Sequence, residues 1–512
     1  MELNLKHQAL AINKNVFEVF GELPVDVEIT LPDYCPDIAH MLKCCVTPQI
    51  DSKHISGERL EAEGVILSCV HYCDERGIIK TYEVANEFSK SFDIKDISEN
   101  DCVFIRATVD YVNYRAVSSR KIEIHGSVTL AVRVCRRQEF PLISDAEGGG
   151  LELRRDTKKA VDFVNSTEKF FLLDEVVEIG PSRPQIQSLI MNDSSVMLHD
   201  YKIINNKLIL KGEVVLNIVY SGDLESPELE TMEASLPVSQ ILELDQVDDE
   251  CICDVELSIE GVSLKPRSDA AGEVKNIAAE IRIKATASAY RACEIPLIEE
   301  AYSTECETDV EAEPLEYLSL LESRRDTFLI KKNVELPDTV IQSVMRVWCR
   351  VLNKTFRRQG SEVVFSGAFA VNILACDENG MPLLAEKPVD FEYRVKVGEE
   401  ADEIVCSPII MPVSCSYLLT GSNQIEVKVE AMISANIFAL HTEQVITGVN
   451  LCEDKMFSAK DRFGLTIYFA EQGESVWEIA KRYRTTSELV MNENDLAEDV
   501  LAESRMLLIP CA

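Results

Sequence analysis

Three residues with metal-binding side chains stand close together in the stretch Cys69-Val-His71-Tyr-Cys73. If this stretch is a β-strand, its alternating side chains place all three on one face. Thiolate and imidazole suit Zn²⁺, but a structural zinc site needs four ligands. No second CxxC or HxxxH pair in the sequence completes such a set. We therefore predict a structural role for these residues and no metal site.

Other catalytic signatures are missing from the sequence. The seven histidines stand at positions that do not recur along the chain, and there is no nucleophile-elbow motif. Neither GxxxxGK[ST] nor a GxGxxG after a strand is present, so we expect no nucleotide cofactor. We predict that the protein is not an enzyme and has no cofactor. A catalytic set that only the fold assembles stays open as an alternative, because 88 acidic residues would hide a pair of catalytic carboxylates.

Composition narrows the choice of partners. The 512 residues include 51 basic and 88 acidic ones, a formal net charge of -37. Such a chain repels nucleic acid and anionic lipid, so neither is an expected partner. We predict no membrane span, because no apolar run approaches the ~20 residues required. The seventeen irregularly spaced cysteines fit a reducing compartment, and the first twenty residues lack the apolar core of a signal peptide, so we expect a cytoplasmic protein.

Internal repetition is the main feature of the organisation. An isoleucine at 38, 186 and 341 follows a proline-containing turn, and each is followed 26 positions later by a glycine at 64, 212 and 367. Later in each copy, apolar residues alternate with mostly polar ones, as from Ile122 to Val134. Period-two alternation is typical of a half-buried strand. The short stretch after each proline turn fits one helical turn or a strand.

We therefore predict a mainly β protein with three β-rich repeat domains, at residues 1–147, 148–305 and 306–460. Candidate linkers are residues 144–156, with three consecutive glycines, and the acidic residues 299–313. Whether the three repeats pack together or hang as separate units stays open.

Residues 464–512 differ from the repeats. Leu465–Ala470 and Met506–Pro510 have strand character. Between them, Ser475 to Glu478 and Thr485 to Glu488 fit the capping box, in which a hydroxyl and a carboxylate satisfy free N–H groups at the start of a helix. The pattern predicts a β-α-α-β unit.

This tail resembles a LysM domain, a module that binds carbohydrate in many wall proteins. The matching residues are Tyr468, Ala470, Gly473, Glu474, Ser475, Val476, Trp477, Ile479, Ala480, Tyr483, Leu489, Asn492, Asn494, Leu508, Ile509 and Pro510. The usual turn is Gly-Asp-Thr, and here it is Gly-Glu-Ser. The resemblance implies a ligand or partner between the first turn and the loop after the second helix. The implied site residues are Gly473, Glu474, Ser475, Val476, Asn494, Asp495 and Leu496.

Each of these assignments has a structural alternative. Gly473 and Ser475 serve a turn and a helix cap whether or not anything binds. For Trp477 we favour packing against the sheet over stacking on sugar. Lys481, Arg482 and Arg484 complement the dipole at a helix end, which we favour over a contact for an acidic partner.

The three repeats, with MELNLK at the start and ITLPDYCPDI after it, resemble SPOCS domains of spore-forming Firmicutes. Repeats followed by a LysM tail are similar to the clostridial spore-morphogenesis proteins that bind the coat-basement ATPase. The resemblance implies a non-enzymatic scaffold for the spore coat, at the forespore surface in the mother-cell cytoplasm, whose tail docks that protein partner. The alternative is a protein that binds peptidoglycan or another N-acetylglucosamine glycan at the cortex or cell wall.

Overall fold

The computed structural model describes residues 3–510 apart from 96, 99–100, 338, 399–402 and 458–464. Within these residues the chain forms twenty-one β-strands and two short helices. The prediction of a mainly β protein is therefore confirmed. The predicted domain limits at residues 1, 460, 464 and 512 lie outside the described residues.

The first repeat contains two three-stranded antiparallel sheets. Its strands are β1 (Asn4–Thr30), β2 (His40–Ser56), β3 (Arg59–Cys73), β4 (Ile79–Asp93), β5 (Cys102–Ser118) and β6 (Lys121–Glu147). One sheet has the order β2-β3-β4, and the other has the order β1-β6-β5. The first and last strands of the repeat are therefore neighbours, and both are much longer than the others.

The second and third repeats have the same topology. Their strands are β7 (Leu151–Glu178), β8 (Ser188–Ile204), β9 (Lys207–Ser221), β10 (Glu230–Glu243), β11 (Cys251–Arg267), β12 (Asn276–Ser303), β13 (Cys306–Glu335), β14 (Ile341–Gln359), β15 (Glu362–Asp377), β16 (Pro382–Lys396), β17 (Glu403–Cys406), β18 (Ile409–Leu419) and β19 (Gln424–Met456). The sheets are β8-β9-β10 with β7-β12-β11, and β14-β15-β16 with β13-β19, to which both β17 and β18 pair. The prediction of repeated β-rich units is confirmed.

Each repeat is a sandwich with one apolar core between its two sheets. In the first repeat the alternating residues Ile122, Ile124, Val128 and Leu130 of β6 are fully buried in a cluster that also includes Leu60 of β3. Equivalent clusters fill the second and third sandwiches. The period-two pattern marks these strands because only one of their faces meets the core.

The recurring glycine lies at the same point of each sandwich. Gly64, Gly212 and Gly367 are on the central strands β3, β9 and β15. A Cβ atom there would collide with the backbone oxygen of Gln49, Met197 and Asn353, respectively. The neighbouring strand has a register irregularity close to that point in all three repeats. The glycines are needed because a bulge brings the neighbouring backbone too close for a side chain.

The two stretches predicted as linkers are instead mostly strand. β6 runs to Glu147 and β7 starts at Leu151, so the glycines 148–150 form a tight turn. Likewise β12 ends at Ser303 and β13 begins at Cys306. The stretches after the proline turns are also extended, since Ile341 opens β14 and the other two lead into β2 and β8. The linker prediction was wrong because polar and glycine-rich composition does not reveal that the first and last strands of each repeat stay paired beyond the sandwich.

The long strands extend beyond the sandwiches as three two-stranded arms: β1 with β6, β7 with β12, and β13 with β19. The arms share apolar clusters, one of which contains Leu10, Leu142, Ala160, Ile295, Leu297, Leu315, Tyr317 and Val445. A further cluster joins β2, β3 and β4 to β8, β9 and β15. The three repeats therefore pack together around shared cores.

The tail folds as β20 (Leu465–Ala470), α1 (Val476–Tyr483), α2 (Ser487–Glu493) and β21 (Arg505–Pro510). β20 pairs with β21 in antiparallel register to form a two-stranded sheet. This element order agrees with the β-α-α-β prediction. Neither helix is long and apolar enough to cross a membrane.

Candidate functional site

The tail has its own small apolar core. Val476, Ile479 and Ala480 of α1 are buried together with Val490 of α2 and Leu507 of β21. Tyr302, near the end of β12 in the second repeat, also packs into this cluster. The amphipathic α1 therefore buries one face against its own sheet and against the second repeat.

The cap of α1 differs from the predicted capping box. Ser475 occupies the N-cap position, but its side chain makes no cap hydrogen bond. Asp499 supplies the cap from the loop after α2: one carboxylate oxygen accepts from the Trp477 backbone N–H at 2.9 Å, and the other accepts from Ser475 Oγ at 2.7 Å. The capping-box prediction at Ser475 and Glu478 was wrong because Asp499, which is distant in the sequence, accepts the hydrogen bond that the Ser475 side chain was expected to accept.

The second capping prediction was displaced by one residue. Thr486 is the N-cap of α2, and its Oγ1 accepts from the Leu489 backbone N–H at 3.1 Å. Thr485 is buried instead, and its backbone N–H donates to the Ala480 carbonyl at 3.0 Å. Thr485 therefore bonds the C-terminal end of α1, and Thr486 caps the N-terminus of α2.

The predicted site residues of the first turn are tied to the loop that follows α2. Gly473 has a φ of +88° and donates its N–H to the Leu501 carbonyl at 2.9 Å. The Glu474 carboxylate accepts from Tyr468 Oη at 2.9 Å and from the Glu471 N–H at 2.9 Å. Hydrogen bonds from the Glu471 backbone and Tyr468 lower the pKa of Glu474. Val476 is fully buried, and its N–H donates to the Asp499 carbonyl at 2.7 Å.

The predicted site residues after α2 have mixed surroundings. Asn494 is buried, and its side-chain amide donates to the carbonyls of Val490 and Leu508 at 2.8 and 2.7 Å. Its Oδ1 accepts from the Leu508 N–H at 2.7 Å. Asp495 is exposed with a φ of +53°, and the half-buried Leu496 donates its N–H to the Met491 carbonyl at 3.0 Å. The polar groups of Asn494 are therefore committed to joining α2 and β21.

The tail is docked on the second repeat, although it follows the third in the chain. Tyr302 Oη donates to the Thr485 carbonyl at 2.8 Å, and the Tyr302 ring meets the Trp477 ring edge-on at 4.9 Å between centroids. The Glu300 carboxylate accepts from Trp477 Nε1 at 2.7 Å and pairs with Lys481 Nζ at 3.1 Å. Burial alone would raise the pKa of Glu300, but the bonds from Trp477 and Lys481, together with the charges of Lys481 and Arg154, lower it. Trp477 thus packs between the tail and β12.

The basic residues at the end of α1 have partners within the chain. Arg482 donates to Tyr468 Oη at 3.0 Å, and the Arg484 guanidinium lies 3.6 Å from the centre of the Phe457 ring. Together with the Lys481–Glu300 pair, these contacts engage all three bases intramolecularly. Lys481 and Arg482 also lie in the last turn of α1, as the helix-dipole interpretation expects.

The outer face of the tail sheet is apolar and exposed. Leu465, Ile467 and Phe469 of β20 are 50, 66 and 68% exposed, and Met506 of β21 is 60% exposed. Register places Met506 opposite Phe469, Leu508 opposite Ile467 and Pro510 opposite Leu465. These six residues, called here the outer sheet face, form one surface because directly paired residues share a side of a sheet. Contiguous exposed apolar patches of this kind mark interaction sites.

A cavity of about 880 Å³ lies where the three repeats meet. Each repeat contributes lining residues, including Lys43, Cys45, Cys69, His71, Asp193, Arg282, Trp348, Arg350 and Asn372. Lys43 Nζ donates to Asn372 Oδ1 at 2.5 Å and pairs with Glu386 at 2.6 Å, which links the first repeat to the third. Burial raises the pKa of Asp193, and Arg346, Arg350 and Lys43 oppose that rise.

Two of the three residues with metal-binding side chains line this cavity. Cys69 Sγ lies 3.7 Å from His71 Nε2, and His71 Nδ1 lies 3.0 Å from Thr81 Oγ1. Thr81 Oγ1 donates to the Ile190 carbonyl at 2.6 Å, so its oxygen is free to accept from the imidazole. Burial lowers the pKa of His71 to about 4, and Lys43 adds to this effect. Cys73 is buried in the apolar cluster between the repeats.

Several of these features were not predicted from the sequence. Asp499, Glu300 and Tyr302 were not singled out, although each contacts the start or the buried face of α1. The alternation of Leu465, Ile467 and Phe469 was visible in the sequence, and the shortness of the tail implied a sheet with one uncovered face. That pattern could have indicated the outer sheet face.

Two segments of the chain, residues 37–117 and 185–266, match the family described as SipL, SPOCS domain. They run from the turn before β2 through nearly all of β5, and from the turn before β8 through nearly all of β11. These are equivalent parts of the first two repeats, which supports the SPOCS assignment. The third repeat and the tail lie outside the matched segments. Searches of curated proteins and of solved structures found no match.

Proposed function

We propose that this chain is a non-enzymatic scaffold for spore-coat assembly, and that its C-terminal tail docks a protein partner. The SPOCS match supports a sporulation-associated role. In this proposal the protein acts in the mother-cell cytoplasm at the forespore surface. Its partner is an ATPase of the coat basement layer, and the tail is a LysM-type module that serves protein docking.

The packing of the three repeats supports a scaffold. The arms share apolar clusters, and Lys43 pairs across repeats with Glu386 at 2.6 Å. Shared cores make a body whose parts keep their relative positions, unlike domains on flexible linkers. The contacts of Tyr302 and Glu300 then hold the tail in a defined orientation on that body.

The observation that carries the docking proposal is the outer sheet face. Tyr302, Glu300 and Trp477 dock the tail through its first helix, and within the described part of the chain the opposite side of the sheet stays exposed. Burying exposed apolar side chains contributes roughly 25 cal/mol per Å² of surface removed from water. Large side chains such as Phe469 and Met506 are typical anchors of a protein interface.

The charge of the chain favours a partner with basic residues. A second copy of a chain with a net charge of -37 would be repelled. Exposed Glu471 and Glu503 flank the end of the outer sheet face at Phe469 and Met506. A partner that presents apolar residues next to basic ones complements this surface.

The hydrogen bonds of the predicted groove favour protein docking over glycan binding. The side chain of Asn494 and the backbone N–H groups of Gly473 and Val476 are already used within the tail. Sugar recognition relies on placed polar groups that can bond the ligand. A groove whose donors are occupied offers few of them.

The test uses the purified full chain and the purified coat-basement ATPase of the same organism in a direct binding assay. We expect Phe469→Glu and Ile467→Glu each to weaken binding at least tenfold, because each places a charge in the apolar contact. Phe20→Glu is the matched control, since Phe20 is 65% exposed on β1, far from the tail in sequence. It should bind as the unaltered chain does.

Equal binding by the Phe469 variant and the Phe20 variant would contradict docking through the outer sheet face. Co-sedimentation of the full chain with peptidoglycan, sensitive to changes at Ser475 and Asp495 and insensitive to Phe469→Glu, would replace the proposal by the glycan-binding alternative. Circular dichroism and thermal unfolding of every variant establish that the fold is retained.

A further inference from the structure

One wall of the junction cavity combines two thiols and an imidazole. The register of β2 on β3 places Cys45 directly opposite Cys69, and His71 follows Cys69 on the same side of β3. All three residues line the cavity. Cys45 lies 24 positions before Cys69, across the β2–β3 hairpin, so the sequence pattern around Cys69 did not include it.

The separation of two of these donors fits a tetrahedral metal site. Zinc bonds of ~2.3 Å to sulfur and ~2.05 Å to nitrogen, at a tetrahedral angle, put sulfur and nitrogen about 3.6 Å apart. Cys69 Sγ and His71 Nε2 are 3.7 Å apart. The pair therefore already has the spacing of two ligands on one ion.

A hydrogen bond from His71 to Thr81 orients the imidazole for coordination. Because the Thr81 O–H donates to the Ile190 carbonyl, Thr81 Oγ1 accepts a hydrogen bond from the His71 Nδ1–H. That tautomer leaves the lone pair of Nε2 directed towards Cys69. Ligating histidines usually bond their other ring nitrogen in this way, and the bond fixes the ring. The chain Ile190–Thr81–His71 spans two repeats, so the site depends on their packing.

We propose that Cys45, Cys69 and His71 bind one soft divalent cation of the Zn²⁺ class, with the fourth position open to the junction cavity. Binding releases the thiol protons to solvent, and no oxidation is involved. No group of three His, Cys, Asp or Glu side chains in the described part of the chain is arranged to hold an ion as it stands. The proposal therefore requires the Cys45 thiol to move towards Cys69 and His71 when the ion binds, and the adjoining cavity, which Cys45 lines, is the route by which the ion enters.

This site replaces the one considered from the sequence alone. Cys73 shares the strand face with Cys69 and His71 but is buried among apolar residues between the repeats. Cys45 takes the place of Cys73 because it comes from the neighbouring strand. The proposal is independent of the docking function of the tail.

The experiment titrates the full-length, chelator-treated and reduced protein with Co²⁺, which reports thiolate ligands and tetrahedral geometry through its absorption spectrum. We expect one tightly bound Co²⁺ per chain with thiolate charge-transfer bands, displaced by one equivalent of Zn²⁺. Cys69→Ser should abolish these bands, and Cys45→Ser should weaken binding at least tenfold. Thr81→Val removes the hydroxyl that bonds His71 Nδ1 and the Ile190 carbonyl but no metal ligand, and it should weaken binding by roughly 10–100-fold.

Cys73→Ser and Cys452→Ser serve as matched controls, and both should retain the spectrum. The proposal is overturned if the unaltered chain shows no thiolate bands, or if Cys69→Ser shows the same bands as the unaltered chain. Loss of the bands in Cys73→Ser with retention in Cys45→Ser would also overturn the ligand set. Circular dichroism of each variant separates loss of binding from loss of fold.

Discussion

Trp477 in the tail donates its indole N–H to the carboxylate of Glu300 on β12 at 2.7 Å. This bond crosses between the second repeat and a unit that follows the third repeat in the chain. The same carboxylate pairs with Lys481, and Tyr302 packs inside the tail core. These contacts with the second repeat fix the position of the tail on the three repeats.

Tyr302→Ala should release the tail from the second repeat. The change removes a buried ring that packs on Trp477 at 4.9 Å and a hydroxyl that donates to the Thr485 carbonyl at 2.8 Å. Loss of a buried aromatic side chain costs about 3–5 kcal/mol. Amide exchange of α1 and α2 should therefore speed up, while exchange in β15 stays the same. The control is Tyr111→Ala, at an exposed position on β5, and unchanged exchange in α1 would contradict the docking contact.

The recurring glycines should not tolerate a methyl group. Gly212→Ala would place Cβ against the Met197 backbone oxygen, which belongs to a neighbouring strand and moves only with the sheet. Such overpacking costs roughly 1–3 kcal/mol, and urea unfolding should detect it. At Gly180 a Cβ meets nothing within 4 Å, so Gly180→Ala should leave the unfolding midpoint nearly unchanged. Equal midpoints for the two variants would refute the close-approach explanation.

Removal of Asp499 should fray the start of α1. Its carboxylate accepts from the Trp477 N–H at 2.9 Å and from Ser475 Oγ at 2.7 Å, and loss of such a cap costs about 1–2 kcal/mol. Asp499→Ala should therefore raise the amide exchange rates of the first turn of α1. Glu478→Ala should have little effect, because the exposed Glu478 is not part of the observed cap. The reverse order of the two effects would restore the capping-box interpretation.

Asp254 should make stability depend on pH. It lies on β11 and accepts from Asn436 Nδ2 at 2.7 Å, between the second and third repeats. Burial raises its pKa from 3.8 to about 6, against the effect of that bond. The native state thus holds the proton more tightly than the unfolded state. The stabilisation by the neutral carboxyl is fully present below pH ~4 and is lost as the pH rises through 6. At pH 7 this lowers the free energy of unfolding by up to about 3 kcal/mol.

Asp254→Asn removes this titration. The variant should be more stable than the unaltered chain at pH 7, and the difference should vanish near pH 4. Denaturant unfolding between pH 4 and 8 measures it, with Asp390→Asn at an exposed position on β16 as the control. Other ionisable groups near Asp254 are Tyr201, Cys253, Tyr290, Cys406, Arg324 and Arg325. A pH-independent difference between the variant and the unaltered chain would show that these neighbours compensate.

The local structure and the repetition could be predicted from the amino-acid sequence. Apolar alternation from Ile122 to Val134 predicted a half-buried strand, and the glycines at 64, 212 and 367 predicted equivalent positions in three copies. These predictions succeeded because a strand with one buried face repeats every two residues, and because a bulge excludes a side chain at one defined point. The order of elements in the tail was predicted from strand character at its two ends and from two capping-box patterns between them.

Contacts between groups that are distant in the sequence could not be predicted in this way. Composition suggested linkers at 144–156 and 299–313, where pairing along the arms extends the strands. Asp499 caps a helix that starts 23 residues earlier, Glu300 holds a tryptophan 177 positions away, and Cys45 faces Cys69. Each contact depends on strand register and on how whole sheets pack, and neither is encoded in the spacing of neighbouring residues. The hydrophobic pattern selects which face of an element is buried, whereas its partner is set by the free energy of the complete packed fold.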